Sequence, residues 1–232
     1  MNAIPLEQEI EYPNSDGKPM AESPQHLRVM IDLISGLMRR YAKAPDVWAG
    51  GNFLLYYEKG NPKARVSPDV LVAKGVVKEK PRRNYLLWDE KPPSLVIEVT
   101  SLETWRRDTK VKKSLYKRIG TEEYVLFDPL EEYLRPSLQG YRLLQGRYEP
   151  IPLEADGSLL SRTTGLLFRR EGYRLRMVDM DVIIERPILW TEELYAAHRA
   201  AEARVAEEVA ARKILERQIR ALEEELALLR RG

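Results

Sequence analysis

The chain has 232 residues, of which 44% are hydrophobic, and its formal net charge is +2 at pH 7. This length suits one sizeable domain with an appendage, and the hydrophobic share is enough for a packed core. The absence of cysteine excludes disulfide bonds, thiolate metal sites and a cysteine nucleophile, and the small net charge does not by itself indicate a nucleic-acid-binding protein.

Two further features of the whole sequence bear on its setting. No stretch has the roughly 18 consecutive apolar residues of a membrane-spanning helix, and the N-terminus lacks the layout of a signal peptide. We therefore expect a cytoplasmic protein with no membrane partner. Basic residues cluster at 78–83 and 106–118, a pattern that is compatible with phosphate binding but more often marks an ordinary solvated face.

The first predicted element is a helix that follows an irregular, polar arm of about twenty residues. Ser23 and Pro24 are typical of a helix start, because serine caps the first turn and proline is tolerated within it. Apolar residues at helical spacing then predict one stripe that faces a core. They are Leu27, Met30, Ile31, Ile34, Leu37, Met38 and Tyr41.

The next elements predict a sheet with buried central strands. A β-rich run at 53–57 is followed by two short apolar runs at 69–73 and 94–99, which are typical of strands covered on both faces. A helix is predicted from about 104 to 119, before another strand at 124–127. This strand–helix–strand order predicts a right-handed parallel crossover.

The last part of the chain changes character twice. Short strands and turns from 133 to 184 predict an antiparallel continuation of the sheet, and the chain from Thr191 onward predicts one long helix. Its heptad seam is short and consists of Leu215, Ile219, Leu222, Leu226 and Leu229. We expect a domain over 1–188 and a C-terminal helix with a short coiled-coil seam over 189–232.

Two carboxylates lie at the ends of predicted central strands. Asp69 opens one strand, and Glu98 stands near the end of the next. Buried carboxylates on adjacent strands repel each other unless a cation lies between them, and oxygen ligands favour Mg²⁺ or Mn²⁺ over zinc. The alternative is structural, with Asp69 capping a turn and Glu98 paired with an arginine.

The helix after Glu98 supplies a candidate cation. Asp108, Lys112 and Tyr116 are four residues apart and therefore share one helical face. A lysine on that face could reach a scissile phosphate beside a metal. The alternative is a surface ion pair between Asp108 and Lys112 that only supports the helix.

The order of these motifs resembles the Uma-type family of restriction endonucleases, within the PD-(D/E)XK nuclease superfamily. The resemblance spans roughly Asp16 to Asp181. The motifs that carry it are Ser67-Pro68-Asp69-Val70, Val96-Ile97-Glu98-Val99-Thr100-Ser101, Arg106-Arg107-Asp108 with Lys112 and Tyr116, Gly120-Thr121-Glu122-Glu123-Tyr124, and Asp128-Pro129.

The resemblance implies an α/β fold, with a restriction-endonuclease-like mixed β-sheet core flanked by helices. It implies that Asp69, Glu98 and the Val99 carbonyl bind Mg²⁺, with Mn²⁺ as the alternative ion and Glu22 as a further ligand. Thr100 stands where the superfamily's Glu-X-Lys motif has its lysine, so that role passes to Lys112 on the following helix.

The remaining site residues have supporting roles. Asp108 and Tyr116 are expected to orient the catalytic groups. His26, in the first helical turn, is expected to pack or cap rather than to catalyse.

The function that the resemblance implies is Mg²⁺-dependent hydrolysis of DNA phosphodiester bonds by an endonuclease. A homodimer, formed through the C-terminal helix, would suit an enzyme that cuts both strands. The alternative is a catalytically silent nucleic-acid-binding or assembly module that oligomerises through the same helix. DNA and RNA are not distinguished by the sequence.

Overall fold

A computed structural model describes residues 12–13, 23–180 and 186–230 of the chain. The chain divides into two compact units, Met1–Ile188 and Leu189–Gly232. Within the described ranges, no helix combines the length and the apolar character that crossing a membrane requires.

Helix α1, Pro24–Arg40, begins where the sequence predicts. The Ser23 side chain accepts the backbone N–H of His26 at 3.2 Å, which satisfies one of the free donors of the first turn. The buried face of the helix consists of His26, Val29, Met30, Asp32, Leu33, Gly36 and Leu37.

The predicted apolar stripe of α1 is correct only in part, because Leu27, Ile31 and Met38 are exposed. The buried face also includes an acidic residue, Asp32, whose side chain accepts the Nε–H of Arg174 at 2.8 Å. A count of apolar residues does not detect such a buried polar position.

The strands are short and are numbered here in chain order. They are β1 Val47–Gly50, β2 Leu55–Tyr56, β3 Arg65–Val66, β4 Val70–Lys74, β5 Tyr85–Leu86, β6 Leu95–Val99, β7 Glu123–Phe127, β8 Leu138–Leu144, β9 Arg147–Pro150, β10 Leu159–Ser161, β11 Leu166–Glu171, β12 Arg174–Asp179 and β13 Arg186–Pro187.

The main sheet has the order β1-β4-β6-β7-β8-β9. Only β6 and β7 pair in parallel, and the other neighbours are antiparallel. The predicted central strands and the parallel crossover are therefore confirmed, as is a mixed α/β fold with helices beside the sheet. The β-rich run at 53–57 contributes only the two residues of β2, in a small sheet of order β3-β2-β5.

The antiparallel continuation after residue 133 is also correct only in part. Strands β8 and β9 extend the main sheet, but β10, β11, β12 and β13 form a separate four-stranded sheet. This second sheet contributes Phe168 and Met177 to the core that α1 and the main sheet share. An apolar face of the main sheet is covered in this way, which a simple continuation would have left open.

The two faces of the main sheet follow from the alternation of side chains along its strands. In β6, Leu95, Ile97 and Val99 belong to the core shared with α1. Val96 belongs to the opposite core, together with Tyr116 and Tyr124. Glu98 has the same parity as Val96 and is directed to that second core.

The helical crossover between β6 and β7 is not a uniform α-helix. Arg107–Lys112 is π-helical, and α2, Lys113–Arg118, follows directly. The Lys113 backbone N–H bonds to the Asp108 carbonyl, five residues back, and the same carbonyl accepts the Tyr124 hydroxyl at 2.9 Å. The predicted continuous α-helix is therefore wrong across this turn, and π-turns of this kind are frequent at functional sites.

Helix α3, Thr191–Leu229, confirms the predicted long C-terminal helix. The backbone N–H of Trp190 donates to the Glu193 carboxylate at 2.8 Å, which caps its start. The seam residues Leu215, Ile219, Leu222, Leu226 and Leu229 are all exposed.

Candidate active site

The register of two antiparallel strands brings the two predicted carboxylates together. Val70 of β4 pairs with Ile97 of β6, so one further step along the ladder places Asp69 opposite Glu98. The Asp69 backbone N–H donates to Glu98 Oε2 at 3.4 Å. The pair lies where β6 ends and its chain enters the crossover, and a ligand site at the carboxyl end of a parallel strand is common in α/β folds.

Both oxygens of Glu98 are occupied by side chains of the helical crossover. Lys112 Nζ donates to Oε2 at 2.7 Å, and the Tyr116 hydroxyl donates to Oε1 at 2.9 Å. Glu98 is fully buried. A buried carboxylate needs such donors, because burial without them costs several kcal/mol.

The crossover itself carries a buried carboxyl group, that of Asp108, which has few hydrogen bonds. Its Oδ1 lies 3.2 Å from Lys112 Nζ. Among the described residues, neither of its oxygens accepts a hydrogen bond of good geometry. Burial raises the pKa of Asp108 above its usual value, and the charge of Lys112 and the nearby Thr104 hydroxyl only partly oppose that shift. Lys112 therefore lies between two carboxylates and bonds well to only one of them.

Asp69 is held from the side of the first core. Its Oδ2 accepts the Val99 backbone N–H at 2.8 Å and lies 3.3 Å from Nε2 of the buried His26. The side chain of Asp69 is 15% exposed, whereas that of Glu98 is 0% exposed. A cation or phosphate that approaches the pair therefore meets Asp69 first.

The pKa shifts follow from burial and from this charge arrangement. Burial raises the pKa of Glu98 well above its usual value, Lys112 opposes the shift, and Asp69 and Asp108 add to it. Burial also acts to raise the pKa of Asp69, but the hydrogen bond from His26 and the charge of Lys112 outweigh it and lower that pKa. Burial acts to lower the pKa of Lys112, yet the surrounding carboxylates raise it. Asp69 and Lys112 are therefore ionised at neutral pH.

The donor chemistry of this pair fits a magnesium ion. Mg²⁺ is often held by one or two carboxylates, with water and substrate phosphates completing its shell, and Asp69 and Glu98 can supply those two groups. Among the described residues, no cluster of three His, Cys, Asp or Glu side chains forms a ready-made metal cage. Glu22, the further predicted ligand, lies outside the described residues.

The structure brings together most of the residues singled out in the sequence. They are Asp69, Glu98, Val99, Asp108, Lys112 and Tyr116. Val99 contacts Asp69 through its amide rather than its carbonyl. The Thr100 hydroxyl bonds to the Phe127 carbonyl at 3.3 Å, and Lys112 is the lysine that reaches Glu98.

His26 is the site residue whose contact the sequence did not reveal. We expected it to pack or to cap, and its backbone N–H does bond to the capping Ser23. Its ring also contacts Asp69, about forty residues further along the chain. No local sequence signal indicates that contact, because it depends on how α1 lies across β4.

The surface around the crossover is basic and carries aromatic side chains. Trp105 stacks on Tyr133, with ring centroids 6.2 Å apart, and the Arg106 guanidinium lies 5.0 Å from the Trp105 ring. The exposed cations of the crossover are Arg106, Arg107, Lys110, Lys117 and Arg118.

An open cleft with a volume of about 440 Å³ lies at the first turn of α1. It is lined by Pro24, Gln25, Arg28, Leu130 and Tyr173.

Comparison with known proteins identifies the family. The model of the Uma2 family, described as "Putative restriction endonuclease", matches residues 2–175. Matching solved structures include a "putative nuclease belonging to DUF820" from Anabaena variabilis, which is 20% identical, covers 67% of this chain and 84% of its own, and superposes with a TM-score of 0.44. No curated protein matches. The family model confirms the resemblance found in the motifs, and the chain belongs to the Uma2 family.

Proposed function

We propose that this protein is an endonuclease that hydrolyses DNA phosphodiester bonds with Mg²⁺, for which Mn²⁺ can substitute. The observation that carries the proposal is the placement of Asp69 opposite Glu98, with Lys112 Nζ 2.7 Å from Glu98. Two carboxylates and one lysine are the groups that a metal-assisted attack on a phosphodiester needs.

Asp69 and Glu98 are the residues that would hold the metal, and the Val99 carbonyl and Glu22 are proposed as further ligands. Bound there, Mg²⁺ supplies a water of lowered pKa and neutralises charge on the phosphate.

The other groups of the site act on water, on phosphate and on the two carboxylates. The Lys112 ammonium orients the attacking water and stabilises negative charge on the phosphoryl oxygens. Tyr116 fixes Glu98 through the hydrogen bond to Oε1. His26 and the Val99 amide fix Asp69 on its other side.

DNA is the proposed partner, and the basic surface of the crossover supports this choice. Exposed arginine and lysine side chains around Lys112 suit contacts to backbone phosphates. Binding through such contacts weakens steeply as salt rises.

We further propose that the two units have different functions. Residues 1–188 form the nuclease domain. Residues 189–232 pair two copies through the exposed seam of α3, which would supply two active sites for the two strands of a duplex. The exposed leucines of the seam support this proposal.

The second candidate function is a silent nucleic-acid-binding or assembly module. One observation favours it: Lys112 already gives Glu98 a positively charged partner, so Glu98 does not need a metal for that purpose. In that case, α3 would perform the function and the buried charges would be structural.

Isothermal titration calorimetry, with Mg²⁺ or Mn²⁺ added to the full chain, distinguishes the nuclease from the silent module. The nuclease requires a binding isotherm that is lost in the Asp69→Asn/Glu98→Gln variant and kept in Glu103→Gln, an exposed acidic residue nearby. Absence of binding by the unaltered protein, even with DNA present, would favour the silent module.

A further inference from the structure

Lys112 occupies the carboxylate oxygen that a bound metal would need. Its Nζ donates to Glu98 Oε2 at 2.7 Å, and Glu98 Oε1 is taken by the Tyr116 hydroxyl. Glu98 can therefore turn to a divalent cation only if Lys112 gives up part of this contact. An ammonium released inside the protein needs another anion, because an unpaired buried charge costs several kcal/mol.

Asp108 has a carboxyl group already placed to receive it. Its carboxylate is buried, its Oδ1 lies 3.2 Å from Lys112 Nζ, and neither oxygen has a well-formed hydrogen bond within the described part of the chain. A poorly bonded buried carboxylate is costly in the metal-free protein. Its presence beside Lys112 therefore calls for an explanation other than stability.

The backbone of the π-helical turn holds Asp108 in place. Its carbonyl accepts both the Lys113 backbone N–H and the Tyr124 hydroxyl. Lys112 can therefore move between the two carboxylates by side-chain rotation, without any shift of the crossover.

We propose that Asp108 is a positioning residue that accepts the Lys112 ammonium when Glu98 turns to a divalent cation. The inference rests on the proposed function and extends it. Lys112 pairs with Glu98 in the metal-free protein and with Asp108 in the metal-bound one, where it remains beside the substrate phosphate.

The test is a double-mutant cycle on Mn²⁺ affinity, measured by calorimetry on the full chain without DNA. The variants are Asp108→Asn, Lys112→Gln and the two combined, with Glu103→Gln as a matched loss of one negative charge. Gln at position 112 keeps a donor for Glu98 but removes the cation.

Asp108→Asn is expected to weaken Mn²⁺ binding about tenfold, since coupling between contacting charged residues is commonly about 1–2 kcal/mol. In the Lys112→Gln background, the same change should alter affinity less than about twofold, because no ammonium has to be received. Lys112→Gln alone should bind Mn²⁺ more tightly than the unaltered protein, because no positive charge then competes with the metal for Glu98.

Equal losses from Asp108→Asn in both backgrounds would overturn the inference, since Asp108 would then act only as one more negative charge. Unchanged or weaker binding by Lys112→Gln would also overturn it. Both results would leave the proposed function standing, whereas absence of Mn²⁺ binding by the unaltered protein would overturn both. Thermal unfolding without metal provides a readout of folding, in which Asp108→Asn should melt no lower than the unaltered protein because it removes a poorly bonded carboxylate.

Discussion

The hydrogen bond from Tyr116 to Glu98 allows the energetics of the buried site to be measured separately from activity. Tyr116→Phe removes one hydroxyl and leaves the ring in place. The lost donor is directed at Oε1 of a fully buried carboxylate at 2.9 Å. Loss of the donor leaves a buried acceptor unsatisfied, which costs about 1–3 kcal/mol, so we expect the free energy of unfolding at pH 7 to fall by about 2 kcal/mol.

The matched control is Tyr124→Phe. The Tyr124 hydroxyl is also buried and also bonds at 2.9 Å, but its acceptor is the neutral Asp108 carbonyl. That carbonyl keeps the Lys113 backbone N–H as a second donor. We therefore expect a loss of about 1 kcal/mol or less.

Urea unfolding of metal-free protein, followed by far-UV circular dichroism, measures both losses through the transition midpoints at constant slope. Two conclusions follow if Tyr116→Phe is clearly the more damaging change. Glu98 depends on its donors, and the crossover is folded around that carboxylate. Equal losses in the two variants, or a gain in stability from Tyr116→Phe, would show that Glu98 does not depend on the Tyr116 hydroxyl.

Three other predictions concern charge and assembly. Because the pKa of Glu98 is raised in the folded state, the folded protein binds more protons than the unfolded chain above pH 4.5. The stability of the metal-free protein should therefore fall relative to that of Glu98→Gln as pH rises, measured as urea midpoints at several pH values. Parallel pH profiles of the two proteins would contradict this prediction. Glu90→Gln should lower the free energy of unfolding by about 3 kcal/mol in the same assay, because Arg82 contacts both Glu90 oxygens, at 3.0 and 3.2 Å, inside the protein. A loss below about 1 kcal/mol, which is the range of exposed ion pairs, would show that this pair contributes little to stability. Leu222→Glu should convert the proposed dimer into a monomer, measured as the molecular mass in sedimentation equilibrium. A mass equal to that of the unaltered protein would exclude pairing through the seam of α3.

The elements that the sequence predicted well are those whose signal is local. Strands β4, β6 and β7 are continuous apolar runs, and such runs indicate strands buried on both faces whatever surrounds them. The carboxylates of Asp69 and Glu98 were noticeable for the same reason, because charge within or beside an apolar run is expensive. The antiparallel register then places them opposite each other.

The features that the sequence did not reveal depend on partners far along the chain. Within the π-turn, the carbonyl of Asp108 accepts the Tyr124 hydroxyl from a strand beyond the crossover. The buried face of α1 includes Asp32, whose partner Arg174 lies in β12. The His26 ring of the same helix contacts Asp69, which precedes β4. Spacing within a single helix contains no information about such long-range bonds.

The proposed metal-dependent nuclease site consists of Asp69, Glu98 and Lys112. Supercoiled-plasmid nicking with Mg²⁺ or Mn²⁺ tests this proposal, by comparing Glu98→Gln with the exposed-site control Glu103→Gln after both variants have been shown to be folded. We expect the unaltered protein and Glu103→Gln to nick the plasmid only when metal is added, and Glu98→Gln to show no nicking above background. Nicking by folded Glu98→Gln at the rate of the unaltered protein would contradict it.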